Sequence, residues 1–352
     1  MPLRVGIIGT GMAFERLHLP AYQELQDRYE IYALCDEDRA RVESWAQRLQ
    51  IPRDRVYTDF RAMVRRGDLD VVDICVPIPD NLPVTQAVAA AASPSLKGII
   101  CEKPLAASRE QAEVARELPR RYQIPILIAE QYRYNEEIDW IRDWIWQGRL
   151  GRVWYFMQHR VISFPAEMWQ DRFAAREWRQ HPEFPGGVIT DTAIHDLAAL
   201  RHIFGAIDRV QAFGNPIDAD FAPYGVIQAN LLFKSGFIGH YTFSCLGLEF
   251  QRPRAGLRIY GERGQIYLEE RDAGVVNLFF PDGSSQQIPY RPQRGFYREL
   301  LNFHKALTGE EAISVPPEME FGDLMTVLAM IESAHAGGKP VAVDREMSYV
   351  LR

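Results

Sequence analysis

The sequence predicts an α/β protein: an N-terminal, doubly wound parallel sheet followed by a C-terminal α+β domain with a large, mainly antiparallel open sheet. Three observations carry this expectation. Short apolar runs alternate with amphipathic stretches from residue 4 to about 129. A glycine turn follows the first of these runs, and beyond residue 150 the chain changes to long aromatic and branched runs. With 352 residues, two domains are expected, at 1–129 and 130–352.

The predicted parallel strands are Arg4–Ile8, Glu30–Cys35, Arg55–Tyr57, Val71–Val76, Gly98–Cys101 and Ile124–Ala129. Between them, Arg39–Gln50 carries Val42, Trp45, Ala46 and Leu49 at helical spacing, and Ser108–Leu118 opens with a capping serine followed by Gln111. A helix near Asn135–Gln147 leads into strands at Val153–Ser163, Arg209–Phe213, Val226–Lys234, Phe237–Leu246, Leu257–Tyr260, Gln265–Glu269 and Val275–Phe280. Turns such as Lys234-Ser-Gly236 and Pro281-Asp-Gly283 suggest an antiparallel meander. Helices near Phe296–Thr308 and Gly322–Ala336 follow.

Forty Lys and Arg against 47 Asp and Glu leave a net charge of −7 with no basic block, which argues against a nucleic-acid or anionic-membrane surface. The longest apolar run, Ala87–Ala92, has six residues, far short of a membrane span. Four separated cysteines (Cys35, Cys75, Cys101, Cys245) encode neither a zinc knuckle nor a disulfide framework, and read as reduced cytoplasmic thiols.

The first strand runs into Gly9-Thr10-Gly11-Met12-Ala13-Phe14, which resembles G-x-G-x-x-G with Phe14 in the third glycine's place. Gly9 permits a tight turn, and Gly11 lets the backbone approach a pyrophosphate at a helix N-terminus. Phe14 fits only if the helix shifts outward or starts late. The alternative is a turn without a ligand. Asp36 ends the second strand 25 residues beyond Gly11, where a carboxylate accepts from an adenine ribose and repels a 2′-phosphate, favouring NAD. It also reads as a helix cap, and the neighbouring Arg39 and Arg41 leave NADP open.

Glu102-Lys103-Pro104 ends the fifth strand, at the sheet edge where open α/β folds bind ligands. A solvent-facing lysine is the bland alternative. Asp191 and His195 stand at i and i+4 in a helix opened by Gly186-Gly187, so they share one face. No zincin-like spacing accompanies them, and no metal is expected. A lone Asp–His helix pair also serves structure.

Together, Gly9-Thr-Gly11 with His18-Leu-Pro-Ala21, Glu102-Lys103-Pro104, Gly148-Arg-Leu-Gly151 and Gly186-Gly187-x-x-x-Asp191-x-x-x-His195 resemble the glucose-fructose oxidoreductase/inositol dehydrogenase/MocA (GFO/IDH/MocA) family. Their order and spacing match over almost the whole chain. The resemblance implies a Rossmann domain for a nicotinamide dinucleotide and a C-terminal sheet that often joins subunits into a dimer or tetramer. It places Lys103, Asp191 and His195 in the catalytic positions, with Gly9, Thr10, Gly11, Met12, Ala13, Asp36, Pro77, Asn81, Glu102 and Lys103 around the cofactor. Asn81 departs from the pattern where a histidine is usual, and Ala198 where an aspartate is frequent.

Oxidising a secondary alcohol of a sugar, inositol or polyol needs a proton acceptor beside the hydride path. His195 suits that part, because imidazole ordinarily exchanges protons near pH ~6.5. Lys103 as ammonium would stabilise a developing alkoxide, and Asp191 would hold substrate or orient the other two. Which of Lys103 and His195 takes the proton stays open. Substrate contacts are expected from Lys103, Asp191, His195, Arg133, Trp169, Trp178 and Arg179, the last three on a long loop, Phe164–Pro185. The tryptophans serve equally as loop or oligomer packing, and Arg133 as a structural ion pair. Two other readings are a non-catalytic dinucleotide-binding regulator and an NAD-assisted glycosidase.

Overall fold

The computed structural model describes residues 1–247, 255–269 and 272–343. They fall into two compact units, Met1–Gln131 with Phe296–Phe321, and the described residues of Tyr132–Gly295 with Gly322–Arg352. One unit boundary falls at Gln131/Tyr132, beside the expected residue 130, and the chain returns to the first unit over Phe296–Phe321. The Tyr29 hydroxyl donates to the Leu300 carbonyl at 2.7 Å, and the Ile128 N–H donates to the Val315 carbonyl at 2.9 Å. Gly98 leaves room for Phe303, whose ring would lie 2.6 Å from a β-carbon there.

The first unit's sheet comprises β1 (Leu3–Ile8), β2 (Tyr29–Cys35), β3 (Val56–Tyr57), β4 (Val71–Ile74), β5 (Gly98–Glu102) and β6 (Ile126–Ala129). All neighbours pair parallel in the order β3-β2-β1-β4-β5-β6. The strands β4, β5 and β6 are buried at every position, as expected of a sheet covered on both faces. The order reverses between β1 and β4, and the carboxyl ends of strands at such a switch point form a ligand crevice.

The second unit has β7 (Val153–Val161), β8 (Ile207–Pro216), β9 (Tyr224–Phe233), β10 (Ile238–Ser244), β11 (Ala255–Gly261), β12 (Gly264–Leu268), β13 (Val275–Phe279), β14 (Ser285–Pro289) and β15 (Val341–Ala342). Their order is β14-β13-β12-β11-β7-β10-β9-β8-β15. The expected meander is thus interrupted: β7 lies at the centre and pairs parallel with β10. The helix Val188–Phe204 lies between β7 and β8 in the chain, so β8, β9 and β10 must run back before β10 meets β7. On the buried face, Phe156 of β7 stacks on Phe204 of that helix at 4.8 Å, with Phe233 and Phe237 around them.

The opposite face is apolar in places yet open to solvent. Cross-strand register sets Arg209, Leu232, Ile238, Tyr155 and Tyr260 in one row, with Gln211, Asn230, His240, Met157 and Arg258 in the next. Ile238 is 55% exposed and Met157 47%.

Phe14 is accommodated by local winding. The chain makes a π-helical turn at Phe14–His18 before the helix Leu19–Glu24. The Phe14 ring is fully buried and meets Trp45 edge-on at 5.4 Å. Phe14→Ala is expected to cost about 3–5 kcal/mol in urea unfolding; a loss below 1 kcal/mol would show that the ring does not anchor this turn.

Candidate active site

In the first unit, Gly9 has φ +89°, and a β-carbon there would lie 2.5 Å from the Cys75 carbonyl oxygen. Only glycine tolerates that approach. Above Gly11 there is open space, the cradle a pyrophosphate requires, so the residues present fit a dinucleotide. Asp36 locks the turn from behind: its Oδ2 accepts from the Thr10 N–H at 2.7 Å and the Thr10 hydroxyl at 2.9 Å. The helix cap is Asp38, which accepts from the Arg41 N–H at 3.1 Å. Arg41 reaches back to both Asp36 (3.2 Å) and Asp38 (3.1 Å), so two carboxylates engage its charge. Met12 is buried beside the turn, and Ala13 is half-buried.

The end of β5 is held from several sides. Asn81 donates through Nδ2 to the carbonyl oxygens of Glu102 (3.0 Å) and Pro104 (2.9 Å), on either side of Lys103. The residue expected beside the cofactor thus clamps the strand end. Pro77 caps the helix Ile78–Ala90 that carries Asn81. The Lys103–Pro104 peptide bond is cis. Lys103 is 8% exposed, the one buried lysine of five in a chain otherwise charged by arginine.

Behind Lys103 lies a group the sequence did not reveal. His18, fully buried, has Nδ1 2.8 Å from Asp73 Oδ2 and Nε2 3.0 Å from Glu102 Oε1. The Tyr22 hydroxyl donates to Asp73 at 2.9 Å. Burial alone would lower the His18 pKa, but the Asp73 carboxylate and its hydrogen bond hold the imidazolium well above the ordinary range. Burial pushes the neighbouring Glu299 carboxyl far up, and Glu102, Glu130 and Asp73 add to this while His18 opposes it. His18, Asp73 and Cys75 offer ligand atoms within 4.8 Å of one another. Both ring nitrogens already face carboxylates, however, and burial pushes the Cys75 thiol up to about 12, so the group is a hydrogen-bonded cluster. The signal in the sequence was Asp73, a charge inside the apolar run Val71-Val-Asp-Ile-Cys75.

In the second unit, Gly187 (φ +52°) opens the helix Val188–Phe204, where a β-carbon would lie 2.1 Å from the Phe221 carbonyl oxygen. Asp191 is buried one turn before His195. Arg179 donates through Nε to Asp191 Oδ2 at 2.7 Å, and its guanidinium lies 4.0 Å from the Trp178 ring centroid. The His195 ring stacks on Tyr132 at 4.2 Å. Arg160 approaches the same tyrosine ring and pairs with Asp196, which also accepts from the Tyr241 hydroxyl.

Arg133 takes the structural alternative: it donates through Nε and Nη2 to Asp323, which Arg201 also contacts, and all three are buried. Phe164–Pro185 is not one loop. It holds the short helices Phe164–Glu167 and Glu177–Gln180 with a 3₁₀ turn between them. Trp169 stands 89% exposed there, whereas Trp178 is half-buried against Arg179.

Residues 3–126 match the oxidoreductase family with an NAD-binding Rossmann fold, and residues 138–267 match the GFO/IDH/MocA C-terminal domain. An uncharacterised protein of Saccharomyces cerevisiae is 26% identical over 98% of this chain and 99% of its own. The 1,5-anhydro-D-fructose reductase of Ensifer adhaerens is 27% identical over 77% of this chain and 80% of its own. Among solved structures, an oxidoreductase of Agrobacterium radiobacter, in complex with NAD+, L-tartaric acid and magnesium, is similar at TM-score 0.84. It is 20% identical, over 97% of this chain and 98% of that one. With both domains matched in order, the chain belongs to the GFO/IDH/MocA family of NAD-binding oxidoreductases.

Proposed function

We propose that this protein transfers hydride between a nicotinamide dinucleotide, NAD in preference to NADP, and a secondary alcohol or ketone of a sugar, inositol or related polyol. The observation that carries this reading is a buried amine, Lys103, fixed at the carboxyl end of β5 in an NAD-binding sheet. A relative named for a sugar reductase supports the substrate class.

When bound, the nicotinamide supplies the hydride acceptor or donor. Residues Gly9–Ala13 hold the pyrophosphate by backbone, with Asp36, Pro77, Asn81 and Glu102 shaping the surrounding wall. Asp36 sets a negative charge at the end of β2, and Arg41, spent on two carboxylates, offers a 2′-phosphate little. Lys103, as a compact ammonium, stabilises charge on the reacting oxygen. His195, oriented by the Tyr132 ring, moves the hydroxyl proton. Asp191, held by Arg179, binds a substrate hydroxyl, with Trp178 offering an apolar ring face and Trp169 exposed beyond it. Arg133, tied to Asp323, supports the fold instead.

The protein is further proposed to act in the cytoplasm as a homo-oligomer. All four cysteines are free, buried thiols, with those of Cys35 and Cys75 pushed up to about 12 by burial, and no described helix is long and apolar enough to cross a membrane. The open row on the second sheet, centred on Tyr155 and Ile238, supplies the apolar subunit surface.

Steady NADH formation from an added polyol or aldose, followed at 340 nm, tests the reaction. It also separates an oxidoreductase from a cofactor-bound regulator and from an NAD-assisted glycosidase. His195→Ala should leave NAD affinity intact while kcat falls about 10²-fold or more. With Lys103→Met added, the combined loss should be smaller than the product of the single losses, as expected of groups serving one step; near-normal turnover of His195→Ala removes it from the mechanism. Paired NAD and NADP kinetics of Asp36→Ala should show weaker discrimination against NADP, and unchanged discrimination would leave Asp36 only its turn-locking part. Ile238→Glu should shift the sedimenting species toward monomer; an unchanged oligomer would place the interface elsewhere.

A further inference from the structure

His18 joins two carboxylates that belong to different strands of the same sheet. Asp73 lies on β4, at 2.8 Å from Nδ1, and Glu102 ends β5, at 3.0 Å from Nε2. A neutral imidazole carries one N–H and cannot satisfy both carboxylates, so this geometry fits the imidazolium, which donates twice. The second oxygen of Glu102 accepts from the backbone N–H of Lys103 at 3.1 Å. An unbroken line of bonded groups therefore runs from Asp73 through His18 and Glu102 to the peptide of the buried lysine.

We propose that His18 is a positioning residue for Lys103: held between Asp73 and Glu102, it fixes the carboxylate that anchors the Lys103 backbone. The proposal rests on the catalytic part assigned to Lys103 above. Among the described residues of the first unit, several titratable groups face His18. Asp73 and Cys75 lie on and just after β4, Glu102 on β5, Tyr22 on the helix Leu19–Glu24, Tyr29 on β2, Glu130 just after β6 and Glu299 on the helix Gly295–Leu307. Phe296 closes one side, its ring 5.6 Å from that of His18. Burial holds Glu299, Tyr22 and Tyr29 well above their ordinary ranges, and pushes the Cys75 thiol up to about 12. Tyr22, Tyr29 and Cys75 therefore keep their protons across neutral pH, and His18, bonded on both sides, is the link between the carboxylates.

The sign follows. Because the folded-state pKa of His18 is raised, its link is complete below the ordinary imidazole value of ~6.5 and is lost as pH rises through the raised value. Loss of the proton leaves one imidazole N–H for two carboxylates, which breaks the line between Asp73 and Glu102, and the effect passes to Lys103.

The test uses the full chain labelled with [13Cε]lysine, which gives five signals; the Lys103 signal is the one missing from Lys103→Arg. In the wild type this signal should show a titration step additional to that of its own amine. The step should vanish in His18→Gln and in Asp73→Asn, the second of which alters His18 from the side away from Lys103. In turnover assays, both variants should lower kcat about 10- to 100-fold with KM for NAD nearly unchanged. They should also flatten the alkaline limb of the kcat profile.

A Lys103 signal and kcat that match wild type in a folded His18→Gln or Asp73→Asn protein would overturn the proposal, leaving His18 a packing element. Should His18→Gln fail to fold, Asp73→Asn alone decides. If no polyol or aldose is turned over, the assigned reaction falls, while the Lys103 titration still decides the positioning.

Discussion

Charge withdrawn from water must find its partner inside the protein, and this requirement shapes the site more than any apolar contact does. Asp73 lies within a strand buried at every position. It is tolerable there because His18 and Tyr22 converge on one of its oxygens. The same constraint is met elsewhere: Asp36 by Thr10 and Arg41, Asp196 by Arg160 and Tyr241, Asp323 by Arg133 and Arg201. In each case a carboxylate ties together segments distant in sequence. Removing one partner would strand the other charge, which typically costs about 3–5 kcal/mol.

These clusters also explain why the glycine turn holds its shape without a third small residue. Gly9 sits against the Cys75 carbonyl, and Asp36 binds the backbone and hydroxyl of Thr10, so the turn is pinned on both sides. Phe14 then needs only to leave the strand side free, and the π-turn swings its ring onto Trp45. The aromatic pair supplies the helix-to-helix contact within the same unit, and Gly11 stays open for a ligand.

What could be read from the sequence follows from which forces are local. Strands β1 to β6 were legible because each is a short apolar run between turn residues, and Ser108 was legible because capping is decided within one turn. The strands β14, whose residues Ser285-Gln-Gln-Ile-Pro289 alternate no apolar side chains, and β15, two residues long, gave no such signal. Nor did the parallel pairing of β7 with β10, because register between distant strands is set by the layers packed on them. Phe296–Thr308 reads as an ordinary C-terminal helix; the place of Phe296–Phe321 in the first unit depends on Gly98 making room for Phe303. Motif spacing singled out Lys103, Asp191 and His195 but not the residues bonded around each. Asn81, Arg133 and His18 are bonded to partners 21, 190 and 55 or 84 residues away.

The choice of lysine at residue 103 follows from the same physics. Of the 40 basic side chains, five are lysines, and four of those, Lys97, Lys234, Lys305 and Lys339, stand at least partly in solvent. Arginine serves where a fixed planar fork is needed, as with Arg133 on Asp323 or Arg179 on Asp191. A guanidinium keeps its proton and spreads its charge, whereas an amine offers a compact charge on a flexible stem and can exchange a proton. That flexibility is a liability beside a reacting atom unless the backbone beneath it is immobile. Asn81, bonded to the carbonyls on either side, and Glu102, bonded to the Lys103 N–H, supply that immobility from two directions. The bonds that Asn81 and Glu102 make to the backbone around Lys103 are thus the support that the role proposed for its amine requires.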